Sequence, residues 1–384
     1  MTSRQKRHAE VAGAGFAGLT MSIALARRGW LVRLHEQSEE VRDFGAGILV
    51  WRNAMLSLDA IGVADAIKEQ GTEPPFYETG LNGAPPTKEL EGYPYWAITR
   101  PRLHAILADA AVAAGVEIVT SSRAVSADPS GVLHLEDGTS YEADLVIGAD
   151  GAGSLVRNSR EEFAQERKKY KDGVVRVLVP RSPEFAAPEW DSVIDFWTLE
   201  PDAMRVLYVP CGPDTVYMGM MAETSNERAS RIPVDPVVWT ERFPHLAPLI
   251  ASAEHAVSPR HDGYQTNRVT PWSANRVVLV GDSAHAMCPA LGQGASVAIV
   301  NAVALAHALD EFDDIPEALA VWESRQREMT DVAQARSAYM AETRTLAKGG
   351  GFTPELLQTA NFVSAAISPE LEARYPVPEA NRSW

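Results

Sequence analysis

HAEVAGAGFAGLTMSIALARRGWLVRLHEQ, residues 8 to 37, decides the fold. An apolar run ends at Ala12, glycines follow at Gly13, Gly15 and Gly18, and Leu19, Met21, Ile23, Ala24 and Leu25 continue with helix-like spacing. Arg27, Arg28 and Gly29 stop that helix, and a second apolar stretch leads to Glu36. The pattern predicts strand, glycine turn, helix and strand. Gly13 permits the tight turn, Gly15 lets a pyrophosphate approach the backbone, and Gly18 lets the helix pack closely on the strand. Phosphates are expected at the positive end of the helix, with Glu36 accepting hydrogen bonds from a ribose. The spacing marks a dinucleotide site and leaves both the dinucleotide and the reaction open.

Composition narrows the partners. The 384 residues carry 51 acidic against 35 basic side chains, a net charge of −16, which argues against a general nucleic-acid or anionic-membrane surface. Cys211 and Cys288 are too few and too far apart in sequence for a disulfide framework or a zinc site, so buried thiols in a reducing compartment are expected. The basic N-terminus before a small-residue apolar run superficially resembles a signal peptide, but the glycine spacing and the following strand assign it to the fold. Nothing later approaches the roughly 20 apolar residues of a membrane helix. The expectation is a soluble cytoplasmic protein with a small-molecule partner, no nucleic acid, no membrane and no metal, and with homo-oligomerisation left open.

Further along, Phe44-Gly45-Ala46-Gly47-Ile48 reads as a glycine-rich turn rather than a regular element, either a simple turn or backbone laid against a flat ligand. Asn53 is placed as the cap of a helix over 53–70, and two short strands between Tyr77 and Leu90 meet at Asn82-Gly83. Arg100 and Arg102 flank Pro101 at the start of another helix, where cations oppose the helix dipole unless an anion is bound nearby. An apolar strand over 143–148 ends at Asp150-Gly151, with Ser154 and Arg157 opening a helix, and the carboxyl end of such a strand is where open α/β sheets bind ligands.

From 165 to 265 helical periodicity disappears and alternating segments predict an antiparallel sheet, with turns at Glu200-Pro201-Asp202 and Gly212-Pro213-Asp214. Arg176, Asp195, Trp197, Arg205, Tyr208 and Tyr217 on its strands are the ingredients of a wall for an anionic aromatic ligand. The period of two puts Arg205 and Tyr208 on opposite faces, and Arg205 is assigned to the ligand side. A third signal runs from Asn275 to Ala295: an apolar strand into Gly281-Asp282, then a loop with Gly292 and Gly294, then a long helix holding Asn301. Asp282 can bind a sugar or phosphate-linked hydroxyl, and the loop amides can face a ligand ring. His285 reads as structural and His35 as strand-end decoration. Helices follow to about 347, and the tail beyond Gly349-Gly350-Gly351 is expected to dock on the surface or on a partner.

The glycine turn with Glu36, the Asp150-Gly151 segment and the Gly281-Asp282-Ser283-Ala284-His285 segment, in that order around an inserted sheet, resemble the single-component FAD-dependent aromatic hydroxylases. The p-hydroxybenzoate hydroxylases are the type. The resemblance implies an α/β fold: a Rossmann-like FAD-binding domain, an inserted antiparallel β-sheet substrate domain, and C-terminal helices. Its implied division is 1–76, 97–164 and 266–347 for FAD, 77–96 and 165–265 for substrate, and 348–384 as a helical tail. It also implies FAD held by Gly13, Gly15, Gly18, Glu36, Gly47, Arg100, Asp150, Gly151, Asp282, Gly292 and Gly294, with Asp150-Gly151 serving NADH or NADPH as well.

Within that family, KDGVVRVLVPR, EWDSVIDFW, RVLYVPC, VYMGMMA and HAMCPALGQGA look like the ring-opening hydroxypyridine-carboxylate oxygenases of bacterial vitamin B6 degradation. By that likeness Tyr77, Arg176, Arg205, Tyr217 and Tyr264 face the substrate, and Leu49 stands where such a relative carries tyrosine. Arginine can hold a carboxylate bidentately, and tyrosine can bond a ring hydroxyl while packing on its face. Arg205 and Tyr217 would orient the substrate, and Pro289 would open the loop beside the flavin. The implied reaction uses NAD(P)H and O2, passes through a flavin C4a-hydroperoxide, and hydroxylates and opens a 2-methyl-3-hydroxypyridine-5-carboxylate-like ring. Simple hydroxylation of salicylate, 6-hydroxynicotinate or another phenolic acid is the nearest alternative. A flavin-free NAD-dependent dehydrogenase and a non-enzymatic nucleotide sensor are alternatives of other classes.

Overall fold

A computed structural model describes residues 6–41, 45–343 and 354–379. Its first layer is a six-stranded sheet in the order Ser273–Ala274, Val277–Leu279, Leu145–Gly148, His8–Ala12, Leu31–His35, Glu117–Val119. All neighbours run parallel except the first pair. Four adjacent strands therefore end side by side, at Val280-Gly281, Ala149-Asp150, Gly13 and Glu36. This strand order makes motifs about 270 residues apart in sequence share one edge, the carboxyl edge at which such sheets bind ligands. The helix Phe16–Ala26 follows the glycine turn, and its buried Leu19, Met21, Ile23, Ala24 and Leu25 join the core beneath the sheet.

The second layer is a seven-stranded sheet: Arg260–Thr270, Ala164–Pro180, Thr215–Glu223, Met204–Pro210, Val193–Thr198, Phe76–Leu81, Thr87–Glu91. The early hairpin, turned through Asn82 and Gly83 at φ 51° and 78°, adds two strands, and Phe76–Leu81 runs parallel to Val193–Thr198. Alternation sorts the faces. Val175, Val177, Val206, Tyr208, Met218 and Met220 pack with Trp239, Phe243, Leu249 and Ile250 into a separate core. Arg176, Arg205 and Tyr217 point the other way, toward the first layer.

Three local expectations need correction. The 165–265 segment is not free of helix: Glu227–Ser230, Pro236–Arg242 and Ala247–Ala253 cover one face of the sheet, each too short to show a helical period. Gly47–Trp51 is a strand paired antiparallel with Tyr95–Thr99, not a loop, and Phe44 lies outside the described residues. Asn53 lies inside a helix that begins at Arg52, with Trp51 in the cap position and no side-chain cap bond.

The tail docks on its own chain. Arg52 Nε donates to the Tyr375 carbonyl across 2.7 Å, and the Tyr375 hydroxyl donates to Asp59 Oδ2 across 3.0 Å. Gly349-Gly350-Gly351 lies outside the described residues. Both cysteines are free and buried. Among the described residues no helix is long and apolar enough to cross a membrane, and no cluster could hold a metal ion.

Candidate active site

Two cavities lie end to end along the carboxyl edge. The first, about 390 Å3, is lined by Gly13, Gly15, Glu36, Ser122, Asp150 and Gly151. Gly13 has φ +101°, and a Cβ there would meet the Ala149 carbonyl oxygen at 2.6 Å; one on Gly18 would meet the Gly13 carbonyl oxygen at 2.0 Å. Both turns thus exclude a side chain. Gly15 differs, for a Cβ on it would meet nothing within 4 Å, so its backbone faces open space. Glu36 Oε2 accepts from the Ala14 amide across 3.0 Å and Oε1 from the Ser38 amide across 2.9 Å, so the carboxylate braces the turn it was expected to serve as a ribose acceptor. Each oxygen keeps a second lone pair for that purpose.

His35 is more than strand-end decoration. It is buried, with Nε2 2.6 Å from Glu10 Oε2 and Nδ1 2.7 Å from Ser122 Oγ, its strand lying between His8–Ala12 and the edge strand Glu117–Val119. His104, a residue that sequence reasoning passed over, donates from Nε2 to the Ala14 carbonyl across 2.6 Å and holds the turn from the neighbouring helix. Nothing in its local sequence marks it.

Asp150 has a divided role. Its Oδ2 accepts from the Leu155 and Val156 amides at 2.7 and 3.1 Å, capping the short helix Leu155–Asn158, while its buried Oδ1 has no partner among the described residues. Buried Arg157 ties the second and third motifs together, donating to the carbonyls of Ala152 and Ser283 at 2.8 and 2.9 Å.

The second cavity, about 330 Å3, shares Gly15, Ala149 and Gly151 with the first. Gly47, Leu49, Arg100, Asp282, Pro289, Gly292 and Gly294 line the rest. Arg100 lies with its guanidinium carbon 4.7 Å over the Phe16 ring, and its amide donates to the Ala46 carbonyl. Burial raises the Asp282 pKa, opposed by Arg100 and Arg176. A Cβ on Gly47 would meet Tyr217 Cβ at 2.5 Å, so glycine there lets the strand cross the tyrosine. Trp51, also missed from sequence, donates from Nε1 to the Gly292 carbonyl across 3.2 Å and stacks on Tyr95, fixing the loop from behind. His285 lines neither cavity; it packs 5.4 Å from the Trp272 ring, with Nε2 3.1 Å from Asn301 Nδ2, and burial lowers its pKa to about 4.

Beyond Leu49, Tyr217 and Pro289 the second cavity meets an inner pocket of about 60 Å3. Tyr77, Arg176, Arg205, Tyr217, Tyr264 and Leu49 all line it, so the six expected substrate-side residues converge. Leu207, Met221 and Leu291 supply apolar wall that no motif announced. Arg205 Nε donates to Asp195 Oδ1 across 2.5 Å and its guanidinium carbon lies 5.1 Å over the Trp197 ring. Burial works most strongly against that charge, but Asp195, Tyr77 and Tyr264 together more than offset it and hold the Arg205 pKa above its ordinary value. Tyr77 donates toward Asp195 Oδ2 at 3.5 Å, and burial, then Asp195, raise its pKa. Tyr264 is buried with its hydroxyl unpartnered among the described residues, and burial keeps it a neutral phenol. Arg176 stands at the mouth, donating from Nε to Asp262 Oδ2 across 3.0 Å.

The residues present fit FAD. Open space beside the Gly15 backbone, an Asp150 Oδ1 unpartnered among the described residues, and a cavity continuing under the Pro289 to Gly294 loop accommodate a dinucleotide along the edge and a flat ring at its far end. The sequence family described as FAD binding domain matches residues 7–320. The tetrameric form of 2-methyl-3-hydroxypyridine-5-carboxylic acid oxygenase is 44% identical with a TM-score of 0.90, over 95% of this chain and 100% of that one. A 2-heptyl-3-hydroxy-4(1H)-quinolone synthase of Mycobacteroides abscessus is 36% identical over 339 residues, 87% of this chain and 89% of its own. A 6-hydroxynicotinate 3-monooxygenase of Pseudomonas fluorescens is 30% identical over 346 residues, 84% of this chain and 88% of its own.

Proposed function

The chain belongs to the FAD binding domain family and is an FAD-dependent monooxygenase, and we propose that it hydroxylates and opens the ring of a hydroxypyridine carboxylate. NAD(P)H and O2 are the co-substrates of this class, which leaves no place for the flavin-free dehydrogenase reading. Bound FAD supplies the activation of oxygen; the chain supplies orientation and exclusion of water.

One observation carries the substrate reading. An inner pocket contiguous with the flavin-side cavity holds a buried guanidinium, Arg205, and a buried phenol, Tyr264, with no hydrogen-bond partner among the described residues. A buried donor left unpaired costs about 1–3 kcal/mol, so Tyr264 is poised for a ligand acceptor. Arg205 binds the substrate carboxylate, Tyr264 and Tyr217 hydrogen-bond ring substituents, and Tyr77 closes the far wall. Leu49 and Pro289 hold the ring at the boundary with the flavin-side cavity, where Gly47, Arg100, Asp282, Gly292 and Gly294 hold the flavin. The apolar surface of Leu49, Leu207, Met221 and Leu291 packs on the ring and keeps water from its reacting carbon.

The pocket's size, about 60 Å3, favours one small ring over the heptyl-bearing quinolone of the mycobacterial relative. Simple hydroxylation, the reaction in the name of the 6-hydroxynicotinate relative, is the second reading, since Leu49 departs from the tyrosine expected of a ring-opening relative. A homo-oligomer is proposed from the tetrameric relative, and cytoplasmic location from the two reduced cysteines. The test is a screen of pyridine and benzene carboxylates for stimulated NAD(P)H consumption, with product mass read in parallel. Ring opening adds one oxygen and one water; hydroxylation adds oxygen alone. Stimulation by no hydroxypyridine carboxylate would overturn the proposal.

A further inference from the structure

Trp51, Arg52 and Asn53 sit where the strand Gly47–Trp51 turns into the helix Arg52–Ala60, and each reaches a segment remote in sequence. Trp51 bonds the Gly292 carbonyl, and Arg52 holds the tail at Tyr375. Asn53 does both. It is buried, and its Nδ2 donates to the Thr359 carbonyl across 3.0 Å and to Gln293 Oε1 across 3.4 Å. Its Oδ1 accepts from the Ala54 amide across 2.8 Å, so both N–H donors and the carbonyl of the side chain are engaged. Gln293 separates Gly292 from Gly294, two residues of the flavin-side cavity wall, and makes no side-chain cap bond to the helix Gly294–Glu311 that follows it. On the other side, Thr359 belongs to the tail helix Pro354–Asn361, whose Leu357 and Ala360 are buried in the cluster that also holds Leu49, Trp51, Tyr217 and Leu291. The Tyr93 hydroxyl, from the same cluster, donates to Asn361 Oδ1 across 2.7 Å.

We propose that the tail helix is a working part of the site, with Asn53 as its positioning residue: through Asn53 the tail fixes the Gly292 to Gly294 loop, and with it how completely oxygen activated on the flavin is passed to the aromatic acid. The inference rests on the FAD-dependent monooxygenase reading above. Leu49 and Leu291, two walls of the inner pocket, share their apolar cluster with Leu357 and Ala360, so the tail closes the back of that pocket against water. Asn53 lines neither the inner pocket nor the two cavities along the sheet edge, so ligand contact does not account for this buried amide. An apolar side chain would anchor the tail by burial alone, without the cost of desolvating an amide. An amide whose bonds have fixed directions also sets the loop relative to the tail. That precision matters at a reacting ring, where a misplacement of about 1 Å can cost a hundredfold in rate.

The test uses the full-length, flavin-loaded enzyme with the aromatic acid that stimulates it. Oxygen that escapes transfer leaves as hydrogen peroxide, NAD(P)H, a proton and O2 giving NAD(P)+ and H2O2, so peroxide formed per NAD(P)H oxidised measures the loss. Asn53→Ala cuts the bonds to Thr359 and Gln293, and Tyr93→Phe cuts only the tail's bond at Asn361. Asn53→Ala is expected to raise the peroxide fraction about threefold or more and to change the visible circular dichroism of the bound flavin, with the KM for NAD(P)H within about twofold of the parent. Tyr93→Phe, which removes no bond to the loop, should move both readouts in the same direction by a smaller amount. Parent coupling and parent dichroism in both variants overturn the proposal even where the melting temperature falls, since the tail would then serve stability alone. A change in Asn53→Ala with none in Tyr93→Phe overturns the tail's part in it. Should Asn53→Ala yield no folded enzyme, Tyr93→Phe decides by itself. A purified protein that takes up no flavin, or that no aromatic acid stimulates, would instead sink the underlying reading.

Discussion

Arg205 Nε lies 2.5 Å from Asp195 Oδ1, the two reaching across adjacent antiparallel strands to meet where both are buried. The pair does not exist for stability alone, since a buried ion pair repays little of its desolvation. It holds a guanidinium 5.1 Å over the Trp197 ring in the wall of the pocket, with Nη1 3.4 Å from Met221 Sδ. Removing the carboxylate alone strands a buried charge. Asp195→Ala is therefore expected to cost about 3–5 kcal/mol of stability, read by denaturant unfolding. The double variant Asp195→Ala with Arg205→Met should recover most of that loss while binding no substrate. A double variant as unstable as the single one would contradict this account.

Arg205→Gln should weaken binding of the aromatic acid by roughly 10- to 150-fold, the span of about 1.5–3 kcal/mol for a hydrogen bond to a charged group. Tyr217→Phe removes a hydroxyl while keeping the ring that packs under Gly47, so the fold is preserved. Both variants should retain FAD and lose substrate-stimulated NAD(P)H oxidation. Normal turnover in both would remove these residues from the site.

The sheet edge was legible because each of its motifs is local: glycine turn, strand-end acid and glycine loop all declare themselves within a few residues. The face of the inserted sheet was legible for the same reason, as alternation separates Arg205 from Tyr208 whatever the partners are. What escaped depends on pairing at a distance. Gly47–Trp51 looks like loop until Tyr95–Thr99 pairs with it, and Trp51 gains its role only when Gly292 is placed beside its indole. Asp195 was visible as one polar residue among several; its partnership with Arg205 required the register of two strands.

Gly15 and Gly18 separate ligand space from packing space. A Cβ on Gly18 would lie 2.0 Å from a backbone oxygen, so Gly18→Ala should destabilise the fold itself, visible as a lowered melting temperature with or without FAD. A Cβ on Gly15 meets no protein atom within 4 Å, so Gly15→Ala should leave the apoprotein's melting temperature nearly unchanged and weaken FAD binding. Measuring apoprotein stability and FAD affinity for both variants decides the matter. Full FAD affinity in Gly15→Ala would mean that the phosphates do not pass there.

His285 follows the third motif so closely that a catalytic role is tempting, yet its surroundings describe a neutral structural imidazole. It is buried, away from every cavity wall named above, and burial lowers its pKa to about 4 from an ordinary 6.5. Because the folded value lies below the unfolded one, the unfolded chain binds the proton first as pH falls. The contribution to stability is complete above pH 6.5 and is lost progressively as pH drops toward 4. At about 1.4 kcal/mol per unit the loss at pH 4 is about 3 kcal/mol. His285→Gln, which can still accept a hydrogen bond from Asn301, should flatten the stability profile between pH 4.5 and 7 in denaturant titrations while keeping turnover within a few-fold at pH 7.5. An unaltered profile would place the acid sensitivity elsewhere, and a collapse of turnover with intact folding would restore His285 to the chemistry.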